Sequence, residues 1–184
     1  MKALGVDIGT ASVKAALLDS EDGLVDHSTV DISDLNKRPM PSYAERDMTV
    51  VWERVVRAIR SLKDLRAIEA VSVDGTSGTI VVIDANGNPL FPVLLYGDKR
   101  AQDEAGEILQ LSESAQEYQA LLPVDASLVL PKILWLRKNL EKFNEVSAVL
   151  HESDFIVKRL CGIIVTSPNV AGKSHIDVRT RSYL

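Results

Sequence analysis

Two apolar runs, residues 3–8 and 12–18, stand only three residues apart in GVDIGTASVKAALLD. A gap that short cannot hold the crossover that a parallel pair requires, so the chain must open as an antiparallel hairpin. Residues 24–32 alternate loosely beyond Gly23 and extend the pattern to a third strand. Three consecutive strands are not the strand–helix alternation of a dinucleotide-binding sheet. They point instead to a mixed α/β arrangement.

The rest of the chain reads as alternating helices and short strands. Residues 34–46, with Pro39 and Pro41, read as a loop. Asp47 is placed to cap a helix, and Val51, Trp52, Val55, Val56, Ile59 and Leu62 recur at helical spacing until about Lys63. IEAVSVD, 68–74, is mostly apolar and predicts a buried strand. Residues 79–84 and 90–96 flank Asn86-Gly87, a strong hairpin signal. Helices are predicted over 99–110, 113–121, 131–143 and 153–160, the third opening at Pro131, and a short strand over 162–166.

Composition narrows the function. With 184 residues, a net charge of -5 and no basic run, the chain lacks the electrostatic footprint of a nucleic-acid binder. One cysteine, Cys161, excludes an internal disulfide framework, and His27, His151 and His175 have no metal-ligand spacing. Asp7 interrupts the first apolar run too early for a signal-peptide core or a membrane span. The expectation is a cytoplasmic protein with no membrane partner.

Several turns hold candidate chemistry. In Asp7-Ile8-Gly9-Thr10, glycine lets the main chain approach an anion and successive amides can form a nest. Asp7 could orient magnesium through water, and Lys14 could offset phosphoryl charge. The same four residues also suit a plain hairpin turn with a capping aspartate. DGTSGT, 74–79, can present hydroxyls to a polar ligand or simply reverse the chain. In YGDKR, 96–100, Asp98 could bind a hydroxyl or cap the next helix. SPNVAGKS, 167–174, nearly spells a phosphate loop around Lys173, but Ser167 replaces its first glycine.

These segments resemble, in order, the N-terminal domain of the FGGY carbohydrate kinases, within the sugar kinase, Hsp70 and actin superfamily. The resemblance rests on GVDIGTASVKAALLD, YAERDMTVVWERVVRAI, VDGTSGTIVVIDANGNPLFPVLLYGDKR, LVLPKILWLRKNLEKF and the stretch from His151 to Leu184. It implies an α/β, ribonuclease H-like (actin-like ATPase) fold with a mixed sheet and flanking helices. Residues 1–184 would be most of the sugar-binding domain, an incomplete one, with the C-terminal nucleotide-binding domain absent.

By the same resemblance, Gly9, Thr10, Ser12 and Lys14 would face ATP phosphates. Asp7 would be the metal contact for Mg2+ and the one catalytic residue in this chain. Thr76, Ser77, Gly78 and Asp98 would contact the small-molecule sugar. DGTSGT stands where xylulokinases carry glutamine, methionine and histidine, and it looks more like ribulokinase-like members. D-ribulose therefore ranks ahead of D-xylulose among ketopentoses. Tyr96 replaces the tryptophan of the W-x-D-x-R segment, and Lys173 falls on a structural stretch. The general base is expected beyond Leu184, so the chain alone is expected to be inactive. The alternative is a stand-alone, non-catalytic sugar- or protein-binding half-domain, its open sheet edge covered by homodimerisation.

Overall fold

The computed structural model describes residues 1–111, 123–177 and 179–183. The helix expected over 113–121 lies outside them. Strands β1 (Lys2–Ile8), β2 (Ser12–Asp19) and β3 (Gly23–Asp31) form the expected antiparallel meander. The register pairs Leu4 with Leu17, Val6 with Ala15 and Ile8 with Val13, and all six side chains are buried on one face. The residues between them take the other face, where Asp7 stands opposite Lys14.

The loop after β3 is more ordered than its prolines suggested. It contains a helical turn at Ser33–Leu35 and a two-residue strand β4 (Glu45–Arg46). Helix α1 (Met48–Arg60) follows, and the Asp47 side chain accepts hydrogen bonds from the amides of Thr49 and Val50. Met48, Val51, Val55 and Ala58 are buried in one cluster with the β1–β2 face. Each such aliphatic side chain contributes about 1.5–3 kcal/mol by leaving water. Arg57 and Arg60 occupy the last turn, where cations offset the negative helix end.

Strand β5 (Ile68–Gly75) returns parallel to β1, giving the order β3-β2-β1-β5 in a mixed sheet. The expectation that β5 is buried fails. It is an edge strand here, and Val71 is 44% exposed. An apolar strand is covered only when partners flank it, and β5 has β1 on one side alone among the described residues.

A second, antiparallel sheet has the order β4-β7-β6-β8, from β6 (Ile80–Ile83), β7 (Val93–Leu94) and β8 (Ala148–His151). Asn86-Gly87 turns the hairpin between β6 and β7, with Gly87 at φ 84. Strand β8 was not predicted. Helix α2 (Gln102–Leu111) packs on α3 (Val129–Asn139), which starts two residues before Pro131 and stops short of Phe143. Val129 and Leu136 bury against Ile80, Val82 and Leu94 as a second core cluster.

Helix α4 (Glu152–Cys161) ends at Gly162, whose left-handed φ of 78 suits only glycine well. No strand forms over 162–166, and Ile163, Ile164 and Val165 are exposed. A four-residue helix α5 (Pro168–Ala171) and the short pair β9 (Ile176–Asp177) and β10 (Ser182–Tyr183) complete the described chain. Among the described residues no helix is long and apolar enough to cross a membrane.

Candidate functional site

Because β1 and β5 run parallel and adjacent, the two glycine–hydroxyl turns leave the sheet side by side. Asp7 pairs with Asp74 and Ile8 with Gly75, so Gly9-Thr10 and Thr76-Ser77 emerge together at the strands' carboxyl ends. In open α/β sheets that end is where ligands bind. A cleft of about 270 Å³ opens there, lined by Thr10, Arg46, Thr76, Thr79, Tyr96 and Gly97 among others. Thr10 and Thr76, from motifs far apart in sequence, thus share one wall system. Tyr96 and Gly97 also line a neighbouring cleft of about 320 Å³, with Asp98, Asp125 and Ser127.

The first turn is held from outside. The Gly9 amide donates to Ser12 O (2.9 Å), Asn36 Nδ2 donates to Thr10 O (2.7 Å) and Arg46 Nη1 donates to Gly9 O (3.1 Å). A Cβ on Gly9 would meet Ser12 O at 3.3 Å, so the turn is a cradle with little room for a side chain. Asp7 and Lys14 stand on the open face, half-exposed and exposed, with Asp7 Oδ2 3.9 Å from Lys14 Nζ. Neither they nor Ser12 line the cleft itself.

Arg46 is 1% exposed and Glu152 is fully buried. Arg46 Nε and Nη2 donate to Glu152 Oε1 at 3.0 and 2.6 Å. Burial pushes the Glu152 carboxyl up, and the guanidinium opposes that shift. The Glu152 amide in turn donates to Thr79 O (3.1 Å). One buried ion pair therefore connects the D-x-G-T turn to the DGTSGT turn.

The second turn is closed by Thr79, whose amide donates to Thr76 O (3.3 Å). Gly78 has φ 81, and a Cβ there would lie 2.8 Å from Ser127 O. Gly78 is buried, while Thr76 and Ser77 are half-buried, and Ser77 is not on the cleft wall. The Gly78 carbonyl and that of Leu95 accept from Lys132 Nζ at 2.6 and 2.8 Å. Lys132 has no exposed surface, and burial lowers its ammonium to a pKa of about 8.

Asp98 sits apart from these hydroxyls in its bonding. It is 1% exposed, accepting from the Ala44 amide (2.6 Å), the Arg100 amide (3.0 Å) and Arg100 Nε and Nη2 (2.9 and 2.8 Å). Arg100 continues to Glu45 Oε2 (2.6 Å) and lies 3.8 Å over the Tyr43 ring. The carboxylate is thereby the hub of a buried network that ties β4 to the segment after β7.

The Lys173 ammonium lies 5.5 Å from the Tyr96 ring centroid. Among the described residues no group of three His, Cys, Asp or Glu side chains could hold a metal. A single carboxylate such as Asp7 suits magnesium that keeps its water shell.

Sequence reasoning missed Arg46, Glu152 and Lys132. For Lys132 a signal existed, because it falls within the Val129, Ile133, Leu136 stripe of α3. Arg46 followed two prolines and gave none.

Comparison with known proteins places this geometry in a family. The description "FGGY family of carbohydrate kinases, N-terminal domain" matches residues 2–183. A xylulose kinase of Staphylococcus xylosus is 26% identical over 98% of this chain and 38% of that protein. An autoinducer-2 kinase of Photorhabdus laumondii is 25% identical over 98% of this chain and 36% of its own length. The crystal structure of xylulose kinase from Rhodospirillum rubrum superposes with a TM-score of 0.88 at 25% identity, covering 100% of this chain and 40% of that one. The chain thus spans about two fifths of the relatives it matches, and with its strands, turns and register it belongs to the FGGY family of carbohydrate kinases.

Proposed function

We propose that this chain is the sugar-binding part of an ATP-dependent carbohydrate kinase that phosphorylates a ketopentose such as D-xylulose or D-ribulose. The observation that carries the reading is the in-register emergence of the two turns from β1 and β5, with Thr10 and Thr76 on one cleft. One turn faces phosphate, the other faces sugar, and the parallel pairing holds them at a set separation. The similar xylulose kinases support a ketopentose, and the small hydroxyl-bearing turn keeps D-ribulose beside D-xylulose.

In this reading Gly9, Thr10, Ser12 and Lys14 hold ATP phosphates, and Thr76, Ser77 and Gly78 form the sugar side. The cramped Gly9 cradle and the half-exposed Asp7 fit a phosphate and a hydrated Mg2+. Magnesium, when bound, neutralises phosphate charge. Asp98 supports the site from behind, through Arg100 and Ala44. In the reaction a sugar hydroxyl oxygen forms a bond to the γ-phosphorus, the bond to ADP breaks and a carboxylate takes the hydroxyl proton. That carboxylate and the adenosine pocket belong to the longer protein.

The test is calorimetric titration of D-xylulose and D-ribulose into this chain, beside ADP release by chain and full-length enzyme. The reading expects sugar binding by the chain, ketopentose-dependent ADP release by the full-length protein alone and loss of that release in Asp7→Ala. Ketopentose-dependent ADP release by the 184-residue chain, lost in Asp7→Ala, would refute the division of labour.

A second reading, a non-catalytic binding half-domain, is favoured by the open β5 edge with exposed Val71. It expects a second copy to pair along that edge, which sedimentation measures directly.

A further inference from the structure

Lys132 is a cation placed on the apolar face of a helix, and among the described residues its hydrogen-bond partners are carbonyls rather than carboxylates. Those carbonyls belong to Gly78, in the DGTSGT turn, and Leu95, just before Tyr96-Gly97. The same two segments supply Thr76, Thr79, Leu95, Tyr96 and Gly97 to the cleft.

A peptide unit is planar, so fixing a carbonyl fixes the next N–H on its far side. Beyond the Gly78 carbonyl, the Thr79 amide donates to Thr76 O at 3.3 Å. Beyond the Leu95 carbonyl, the Tyr96 amide donates to Thr79 Oγ1 at 3.2 Å. Both peptide units therefore close on Thr79, which is 1% exposed. One ammonium orients two peptides, and the two peptides lock the walls to each other.

We propose that Lys132 is a positioning residue for the sugar cleft: by binding Gly78 O and Leu95 O it sets the spacing of the Thr76–Thr79 turn against the Leu95–Gly97 segment, and through that spacing the sugar affinity. The inference rests on the reading of the cleft as a sugar site. Lys132 touches no substrate in this role and acts through the two loops. An apolar side chain of its length would fill the same core volume yet leave both peptides free to turn.

The experiment uses Lys132→Met and Lys132→Gln in the 184-residue chain, titrated calorimetrically with D-xylulose and D-ribulose. Backbone amide hydrogen exchange and circular dichroism are followed in parallel. In Lys132→Met the helical signal stays unchanged, while exchange at Thr79 and Tyr96 speeds up at least tenfold relative to α1. Affinity for the ketopentose that binds wild type falls at least tenfold. Lys132→Gln, which keeps two N–H donors without the charge, recovers part of both effects, and it carries the test if Lys132→Met does not fold. Binding within twofold of wild type in a folded variant, or faster exchange spread evenly over α1, overturns the inference. Wild-type protein that takes up neither sugar overturns the sugar reading and the role of Lys132 with it. Wild-type binding that survives in Lys132→Met overturns the inference alone.

Discussion

Replacing Arg46 by methionine removes the guanidinium from a pair in which neither side chain reaches water. Glu152 would keep its burial and lose the Arg46 charge, and Gly9 O would lose a donor. Breaking a buried pair from one side is strongly unfavourable, about 3–5 kcal/mol, because the remaining charge is uncompensated. Domain stability is about 5–15 kcal/mol, so the loss is a large fraction of the whole. At about 2–4 °C per kcal/mol for a chain of this size, the melting temperature should fall by roughly 6–20 °C.

Proton linkage gives the sign of the pH effect. Burial raises the Glu152 carboxyl, and the Arg46 guanidinium opposes it. Removing Arg46 leaves that rise less opposed, so the folded variant should keep the Glu152 proton to higher pH than the unfolded chain, whose ordinary value is 4.5. Stability from that proton is fully present below the unfolded value and is lost as pH rises through the folded one. The Arg46→Met penalty should therefore be smaller at pH 5 than at pH 7. Urea denaturation of Arg46→Met, Glu152→Met and the double variant at both pH values checks this. The double variant should return to within about 1 kcal/mol of wild type, since apolar replacement of a buried pair is close to neutral. Additive penalties in the double variant, or a penalty independent of pH, would show that the pair does not bridge the two turns as a unit.

Two other outcomes follow from the same geometry. Gly78→Ala places a Cβ 2.8 Å from Ser127 O in a left-handed backbone, and should destabilise by roughly 2–4 kcal/mol and weaken sugar uptake. Gly97→Ala, with nothing within 4 Å, is the control, and equal losses in thermal melts would contradict the crowding argument. Burial lowers the His151 ring to about 4 from an ordinary 6.5, assisted by the Lys132 charge. Its stabilisation is complete above 6.5 and is lost as pH falls toward 4, up to roughly 3 kcal/mol. His151→Leu should flatten the stability profile over that window, and an unchanged slope in denaturant titrations would count against a buried neutral ring.

Local periodicity carried the parts of the fold that local periodicity can carry. The β1–β2–β3 meander followed from run lengths and gaps, and the α1 cap followed from Asp47, because each depends on residues within one turn. Burial is not local. IEAVSVD and GIIVT are equally apolar on paper, but what covers a segment is decided by its neighbours. Among the described residues β5 has β1 on one side only, and 163–165 stand exposed. Strand β8, four residues long, is too short to show a period, and its pairing with β6 alone defines it.

The site divides along the same line. Both glycine–hydroxyl turns were visible because each is contiguous, but their meeting depends on β5 returning parallel to β1 across the whole of α1. The fastenings were the least visible, since Arg46 finds Glu152 far along the chain and Lys132 reaches carbonyls of two loops. Lys132 nevertheless left a trace, as a charge inside an otherwise apolar helical stripe. An isolated ammonium in a core is unfavourable, so its presence there requires acceptors. A stripe supplies none of its own, because its carbonyls are used within the helix. Here they are the carbonyls of Gly78 and Leu95, and the two segments that carry them line this cleft.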